Sequence, residues 1–100
     1  MNNLKVKVSN MESSRGNSVP NQLIIDSGRK RFFQSYSSLI ACYDYEAGTL
    51  TVGKDWDCSQ TTMKYLKSFI NDNTPAHYES KSAFQKLIDS GKVIYDETMI

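Results

Sequence analysis

Two side chains of this sequence have the types that a nucleophile and its base require. Cysteine catalysis needs a thiolate beside a proton acceptor, and His77 is the only histidine of the chain. Cys58 stands where a helix is expected to begin, and the dipole of a helix stabilises negative charge there. Neither residue lies in a sequence motif of a cysteine enzyme, and one such pair in 100 residues is close to chance. We therefore interpret Cys58 as a small structural thiol and His77 as a surface imidazole.

Metal and cofactor sites are not indicated by the residue spacing. A zinc site normally draws four ligands from closely spaced Cys and His, and Cys42, Cys58 and His77 are too few and too scattered. Asp55 and Asp57 could offer oxygens to a hard cation, but no calcium-loop pattern follows them, so we interpret them as a turn carboxylate and a helix cap. The isolated glycines form no phosphate loop and no dinucleotide fingerprint. The sequence therefore predicts no catalytic residue, no metal ion and no cofactor.

The run Arg29-Lys30-Arg31-Phe32-Phe33 is the most suggestive stretch for binding. Basic side chains beside aromatic rings suit a nucleic-acid backbone with stacking on its bases. A hairpin turn solvated by charges, with one ring in the core, gives the same pattern. Because side chains alternate along a strand, Phe32 and Phe33 should lie on opposite faces, and at most one of them belongs to the core.

The ring outside the core is expected to join nearby tyrosines in an exposed aromatic patch. Surfaces rich in tyrosine and arginine are typical of protein interfaces. The net charge of +1 is too small for a strongly basic nucleic-acid binder, so a protein partner is favoured over nucleic acid. The charge is also uneven, with six basic and two acidic side chains in residues 1–35, but one basic and four acidic in residues 36–63. The candidate partner-binding residues are Arg29, Lys30, Arg31, Phe33, Tyr36 and Tyr43.

The elements that position these residues begin with a run of short strands. Alternating apolar and polar residues, broken by turn residues, predict strands at residues 4–8, 19–25, 31–36, 39–44 and 49–52. Residues 9–18, rich in Ser, Asn and Gly, are predicted to form a loop. Asp26-Ser27-Gly28 and Glu46-Ala47-Gly48 are predicted turns. The first half of the chain is therefore predicted to be a β-meander.

The pattern changes to a helical period after Trp56, whose ring we expect to pack between the sheet and the following helix. Met63, Leu66, Phe69 and Ile70 fall on one stripe of that helix. Its start is predicted by a capping box from Asp57 to Gln60 with Ser59 as a competing cap, and its end by residues 71–73. A second helix is predicted to start at Thr74-Pro75, to bury Ala83, Phe84, Leu87 and Ile88, and to end at Gly91 before a strand at 93–95.

These elements predict an α+β fold, an antiparallel β-meander of four to five strands with two helices packed on one face. We expect one domain over residues 1–100, with an N-terminal strand and loop at 1–18, the meander at 19–54, and the helices and final strand at 57–96. The apolar runs are far shorter than the roughly 20 residues that span a bilayer, and the N-terminus alternates. A cytoplasmic protein with two free thiols is expected.

Two segments carry a resemblance to a known family. They run from Val19-Pro20-Asn21-Gln22 through Phe33-Gln34-Ser35-Tyr36, and then over Trp56-Asp57-Cys58-Ser59-Gln60-Thr61-Thr62-Met63-Lys64-Tyr65. The chain here resembles a family of small uncharacterised proteins that bacteriophages and prophages of Gram-positive bacteria encode. The resemblance covers about residues 19–70.

Two departures from the family pattern are visible. Cys58 stands where an aromatic residue is common, and residues 71–82 look like additional length, as do the first strand and loop. The resemblance implies a phage accessory protein, and small accessory proteins of that kind often block host defences, inhibitors of CRISPR nucleases among them. Because fold and family context do not define a mechanism, this last step is an analogy.

The sequence thus favours a non-enzymatic, macromolecule-binding protein of phage or mobile-element origin. The expected partner is a host protein, a defence nuclease of the Cas9 type, inhibited by direct binding. The alternative is a small nucleic-acid-binding or regulatory phage protein.

Overall fold

The computed structural model describes residues 6–99, which form five strands, then two helices, and then a sixth strand that returns to the sheet. Apolar residues that recur along the second to fifth strands favour strand formation, whereas the first strand contains a single valine, Val8. The elements are β1 (Lys7–Glu12), β2 (Ser18–Asp26), β3 (Lys30–Ser35), β4 (Ser38–Asp44), β5 (Thr49–Val52), α1 (Gln60–Asn73), α2 (Lys81–Asp89) and β6 (Ile94–Tyr95).

The strands form a single sheet whose spatial order β1-β2-β3-β4-β5-β6 equals their order in the chain. The four pairs from β1 to β5 are antiparallel, and β6 joins β5 in parallel after the two helices. The turn between β2 and β3 uses Gly28 at a φ of 90°, and its N–H donates to the carboxylate of Asp26 at 2.8 Å. This architecture confirms the predicted α+β fold and meander, with six strands instead of four to five.

The loop predicted at residues 9–18 is too long, because β1 extends to Glu12 and β2 begins at Ser18, which leaves only residues 13–17 between them. Ser13 closes that turn by accepting the N–H of Gly16 at 2.9 Å. The polar residues Ser9 and Asn10 lie in a strand at the sheet edge, where their exposure removes the apolar alternation that identifies buried strands. Leu4, the start of the predicted first strand, lies outside the described residues.

Helix α1 is capped by Ser59, whose side chain accepts the N–H of Thr62 at 3.0 Å. The competing cap is thus confirmed, and the prediction of Asp57 as the cap is wrong. The predicted end at residues 71–73 is confirmed, since α1 ends at Asn73.

The second helix begins later than predicted. Ser80 caps it by accepting the N–H of Ala83 at 3.2 Å, so a start at Thr74-Pro75 is wrong. Thr74 instead closes the C-terminus of α1 by donating its hydroxyl to the carbonyl of Ile70 at 2.9 Å. Gly91 has a φ of 81° just after the helix, as the predicted left-handed end requires.

The core lies between one face of the sheet and the two helices. The ring of Phe33 stacks on Phe69 of α1 with centroids 5.9 Å apart, which ties the middle of the sheet to that helix. Trp56 is 4% exposed, so its predicted burial is confirmed, and its ring lies 5.2 Å from Phe84 of α2. The core also contains Met11, Ile40, Ala41, Tyr43, Leu50, Val52, Tyr65, Leu66, Ile70, Tyr78 and Val93.

Candidate functional site

The basic residues of the β2–β3 turn lie among carboxylates that balance their charge. Arg29 reaches Asp44 at 3.5 Å and Glu46 at 3.4 Å. Arg31 contacts Asp26 at 2.6 Å. The third cation of this turn, Lys30, is the cross-strand neighbour of Asp44. This end of the sheet, which we call the basic end, therefore presents three cations against three carboxylates.

Arg31 links the sheet to α1 and is committed to contacts inside the chain. One terminal nitrogen of its guanidinium donates to Asp26, and the other donates to the side-chain oxygen of Asn73 at 2.6 Å. The guanidinium carbon also lies 5.7 Å from the centre of the Tyr45 ring, in cation–π geometry. A side chain held from three sides cannot turn outward to a partner without breaking these bonds.

The carboxylates of the basic end are held in their charged form. The hydrogen bond from Arg31, supported by the backbone N–H of Gly28, lowers the pKa of Asp26. For Asp44, the N–H of Ala47 is the main cause of its lowered pKa, with a further contribution from Arg29. These charges remain at neutral pH and neutralise the cations that the sequence presented as a candidate nucleic-acid contact.

Tyr36 lies at the opposite end of β3 from the basic end, in the tight turn to β4. Its φ of 55° is in the left-handed region, and its N–H donates to the carbonyl of Asn21 at 2.7 Å. The side chain is exposed to 58%. Tyr36 lies five residue steps from Arg31, which at about 3.3 Å per step is about 17 Å. The predicted patch is therefore divided between two ends of the sheet.

Two of the predicted partner-binding aromatics lie on the helix-covered side of the sheet. Phe33 is 0% exposed, so its place in an exposed patch is wrong: its neighbours on the same face point into the core. Tyr43 is also buried and meets Tyr45 edge-to-face at 5.2 Å. Phe32 is the ring of the adjacent pair that lies outside the core, as strand alternation requires.

The sheet face opposite the helices carries a continuous row of side chains that crosses all six strands. The register places Val8 beside Ile25, Ile25 beside Phe32, and Phe32 beside Cys42. The row then continues from Cys42 through Thr51 to Ile94. We call this set the open-face row, Val8, Ile25, Phe32, Cys42, Thr51 and Ile94.

None of these six side chains belongs to the core cluster or packs against it. Val8 and Ile94 are exposed, while Ile25, Phe32 and Thr51 are half-buried between neighbouring strands. Cys42 is buried in the middle of the row, and this burial raises the pKa of its thiol. The row is an apolar surface within residues 6–99 that neither helix covers.

The sequence contained a signal for the open-face row. The triplet Leu23-Ile24-Ile25 and the pair Phe32-Phe33 place apolar residues on both faces of adjacent strands, whereas a strand with one solvated face alternates. At the edge, Val6 and Val8 are two positions apart and place apolar side chains on one face only. The row follows from these runs only once the pairing register is known, because the register decides which residues become neighbours.

The candidate nucleophile and base show no link to each other in the structure. Cys58 is exposed, and its sulfur lies 3.5 Å from the Thr62 hydroxyl, while His77 is exposed in the segment between the helices. Across residues 6–99, no group of three or more Cys, His, Asp or Glu side chains could hold a metal ion. In the same part of the chain, no helix is long and apolar enough to cross a membrane.

Comparison with protein families gives one match, which covers residues 6–86. The chain belongs to DUF8033, a family of unknown function. No curated protein and no solved structure matches the chain. Membership in a family of uncharacterised proteins, which the sequence resemblance implied, is thereby established.

The family match extends over more of the fold than the two segments of the resemblance. It includes β1, the whole of α1 and the linker to α2. The first strand and residues 71–82, which looked like additions, therefore belong to the family's own domain. The strands that build the open-face row, apart from the two-residue β6, all lie within the match.

Proposed function

We propose that this chain acts by binding another protein, without catalysis, through the open face of its sheet. The observation that carries the proposal is the open-face row, in which Ile25 and Phe32 remain half-buried and no helix covers them. Side chains of this kind gain free energy when a partner removes their remaining apolar surface from water, at about 25 cal/mol per Å². Exposed apolar patches of this kind mark interaction sites in proteins.

The charge distribution favours a protein over nucleic acid. A nucleic-acid site needs free cations along a phosphate path, and those of the basic end are balanced by Asp26, Asp44 and Glu46. The exposed ring of Tyr36 lies at the other end of the sheet, so aromatic and basic groups are not interleaved. The exposed ring of Tyr36 is instead a side chain of the kind that concentrates energy in protein interfaces.

The target that we propose is a host defence nuclease of the Cas9 type, and the origin a phage or mobile element. This part rests on the resemblance of residues 19–70 to small phage-encoded proteins. Inhibition would follow from occupation of a protein surface and needs no catalytic group in this chain.

The proposal is tested by plasmid cleavage with a purified, guide-loaded Cas9-type nuclease in the presence of increasing amounts of this protein. We expect the wild-type chain to suppress cleavage and Phe32→Ser to shift the half-inhibitory concentration upward at least tenfold, because the substitution removes the ring at the centre of the open face. Tyr95→Ser is the matched control, since it removes an exposed ring on the opposite, helix-side face. Equal inhibition by wild type and Phe32→Ser would contradict the assigned face, and no inhibition at all would contradict the assigned target.

A further inference from the structure

The two edges of the sheet differ in what they offer to another strand. The β6 edge consists of two residues, Ile94–Tyr95, which is too short to direct the pairing of a further strand. The β1 edge is six residues long, and in residues 6–99 no strand pairs with its outer side. The outward N–H and C=O groups of β1 are therefore free to form a ladder, which only another strand can complete in the plane of the sheet.

The side chains along this edge are unusually apolar for a solvated strand. Val6 is 61% exposed and Val8 59%, the highest values among the exposed large hydrophobic residues of the described chain. Charge is the usual protection of a free edge, and here it comes from Lys7 and Glu12. The charge of Lys7 is partly offset within the chain, because it is the cross-strand neighbour of Asp26 and contributes to the lowered pKa of that carboxyl.

We propose that the outer edge of β1 pairs with β1 of a second copy of this chain, antiparallel about a two-fold axis at Val8. A two-fold axis perpendicular to the sheet makes two identical antiparallel strands neighbours and keeps each face continuous. The strand then lies with Val8 opposite Val8 of the second copy, and Lys7 lies opposite Ser9. This pairing goes beyond the proposed function and does not depend on it.

The register at Val8 is the one that the residues of β1 favour. It places Val8 of one copy opposite Val8 of the other and sets no like charges directly opposite each other. Centring the axis on Asn10 would place Val8 against Glu12 and would run through the irregularity of the β1–β2 pairing between Asn10 and Glu12. A two-fold axis centred on Ser9 would bring Lys7 opposite Met11, which is buried in its own core.

Pairing at Val8 would extend the open-face row across both copies, because Val8 is the last member of the row on this side. The two rows would meet at the axis and form one band across both copies, apolar except for Thr51. A strand pair of about five residues per copy buries less surface than the roughly 1,200 Å² of a stable interface. The dimer should therefore be weak and should depend on concentration.

The geometry is tested by a cysteine placed on the axis. Residues directly opposite in an antiparallel pair have Cα atoms about 4.5–5.5 Å apart, within the range of a disulfide. In a background of Cys42→Ala and Cys58→Ala, Val8→Cys should form a covalent dimer with copper phenanthroline as oxidant. Ser9→Cys is the matched control. With neighbouring strands about 4.8 Å apart and two residue steps of offset, its Cα atoms would lie about 8 Å apart, too far for a disulfide.

We expect the yield of cross-linked dimer from Val8→Cys to be at least ten times that from Ser9→Cys. Equal yields from the two variants would show random collision and overturn the proposal, as would no cross-linking of Val8→Cys. Sedimentation velocity of the unmodified chain gives a second readout. The wild type should sediment increasingly as a dimer towards high micromolar concentration, and Val8→Lys, which places two cations on the axis, should stay monomeric. A wild type that stays monomeric over that range would also overturn the pairing.

Discussion

The two faces of the sheet carry adjacent rows of similar apolar content but differ in what covers them. The helix-side row runs from Ile24 through Phe33 and Ala41 to Val52, and the helices and Trp56 cover it. The open-face row has Phe32 in the corresponding position, with no helix over it. Apolar residues alone therefore do not mark the core of this protein. Coverage by α1 and α2 separates residues that hold the fold from residues that are free to meet a partner.

Substitution of the two adjacent phenylalanines should separate the faces by stability. Phe33→Ala removes a ring that is 0% exposed and stacked on Phe69, and we expect a loss of about 3–5 kcal/mol in the free energy of unfolding. Phe32→Ala, on the half-buried open face, should cost about 1 kcal/mol. Urea denaturation of both variants measures the difference, with Trp56→Ala as a second core variant expected to lose about 3–5 kcal/mol. Equal losses for Phe32 and Phe33 would mean that the open face is part of the core.

Loss of the Arg31 side chain should weaken the fold more than it weakens binding. Arg31→Ala breaks hydrogen bonds to Asp26 and Asn73, and bonds to charged groups contribute about 1.5–3 kcal/mol each where they are shielded from water. Because these groups are partly exposed, we expect a total loss of about 1–2 kcal/mol, measured by urea denaturation. Arg29→Ala, at an exposed side chain of the same end, is the control and should lose less than about 1 kcal/mol. A variant of Arg31 as stable as the wild type would show that its contacts do not hold α1 to the sheet.

The same contacts should make stability fall in acid. The pKa of Asp26 is lowered in the folded state by Arg31, so its contribution is fully present above the unfolded value of about 3.9 and is lost as the pH falls through the folded value. We expect the urea midpoint to be flat between about pH 5 and pH 7 and to decrease below about pH 4. In Arg31→Ala this decrease should be shallower. An identical pH profile in the variant would contradict the assigned cause.

The balanced charges of the basic end predict an absence of tight DNA binding. If its three cations each met a phosphate, the logarithm of the binding constant would fall with the logarithm of salt with a slope of about −3. We expect the chain to shift neither duplex nor single-stranded DNA in a gel at about 150 mM salt. Tight binding with that slope would favour the alternative function, a nucleic-acid-binding phage protein.

Labelling of the two thiols is the test with the smallest expected effect. Cys58 is exposed, whereas Cys42 is buried in the open-face row, and burial raises the pKa of its thiol. A maleimide should therefore label Cys58 at least tenfold faster than Cys42 at pH 7, since the thiolate is the reactive form. Cys58→Ser and His77→Ala should leave binding unchanged, because neither residue contributes to the open face. Loss of activity in both folded variants would restore a catalytic interpretation.

Local sequence patterns predicted the strands and helices better than they predicted which residues become neighbours in the fold. The alternation in β3 to β5 and the stripe of α1 indicated strands and helix correctly, because each is set by residues a few positions apart. The first strand was predicted at residues 4–8 from its alternation, but its continuation from Ser9 to Glu12 was missed, because these residues are mostly polar and exposed. The predicted start of α2 was also wrong. Thr74 instead caps the C-terminus of α1, and this role depends on where α1 ends.

For the candidate site too, residues far apart in the chain decide what the local pattern left open. Strand alternation predicted that Phe32 and Phe33 lie on opposite faces, but which of them is buried depends on where α1 packs. Arg31 looked like a free cation because Asn73, 42 residues later, is visible as its partner only in the folded chain. The open-face row requires five pairing registers in succession, and none of them is a property of a local segment.

Binding of a protein by the open face can be measured with three tagged baits. Wild type, Phe32→Glu and Tyr95→Ser are each mixed with lysate of the bacterial host, and the retained proteins are quantified by mass spectrometry. We expect wild type and Tyr95→Ser to retain a host protein. Phe32→Glu, with a charge at the centre of the row, should lose at least nine-tenths of that protein while remaining folded by circular dichroism. Retention of the same protein at the same level by Phe32→Glu would contradict the account.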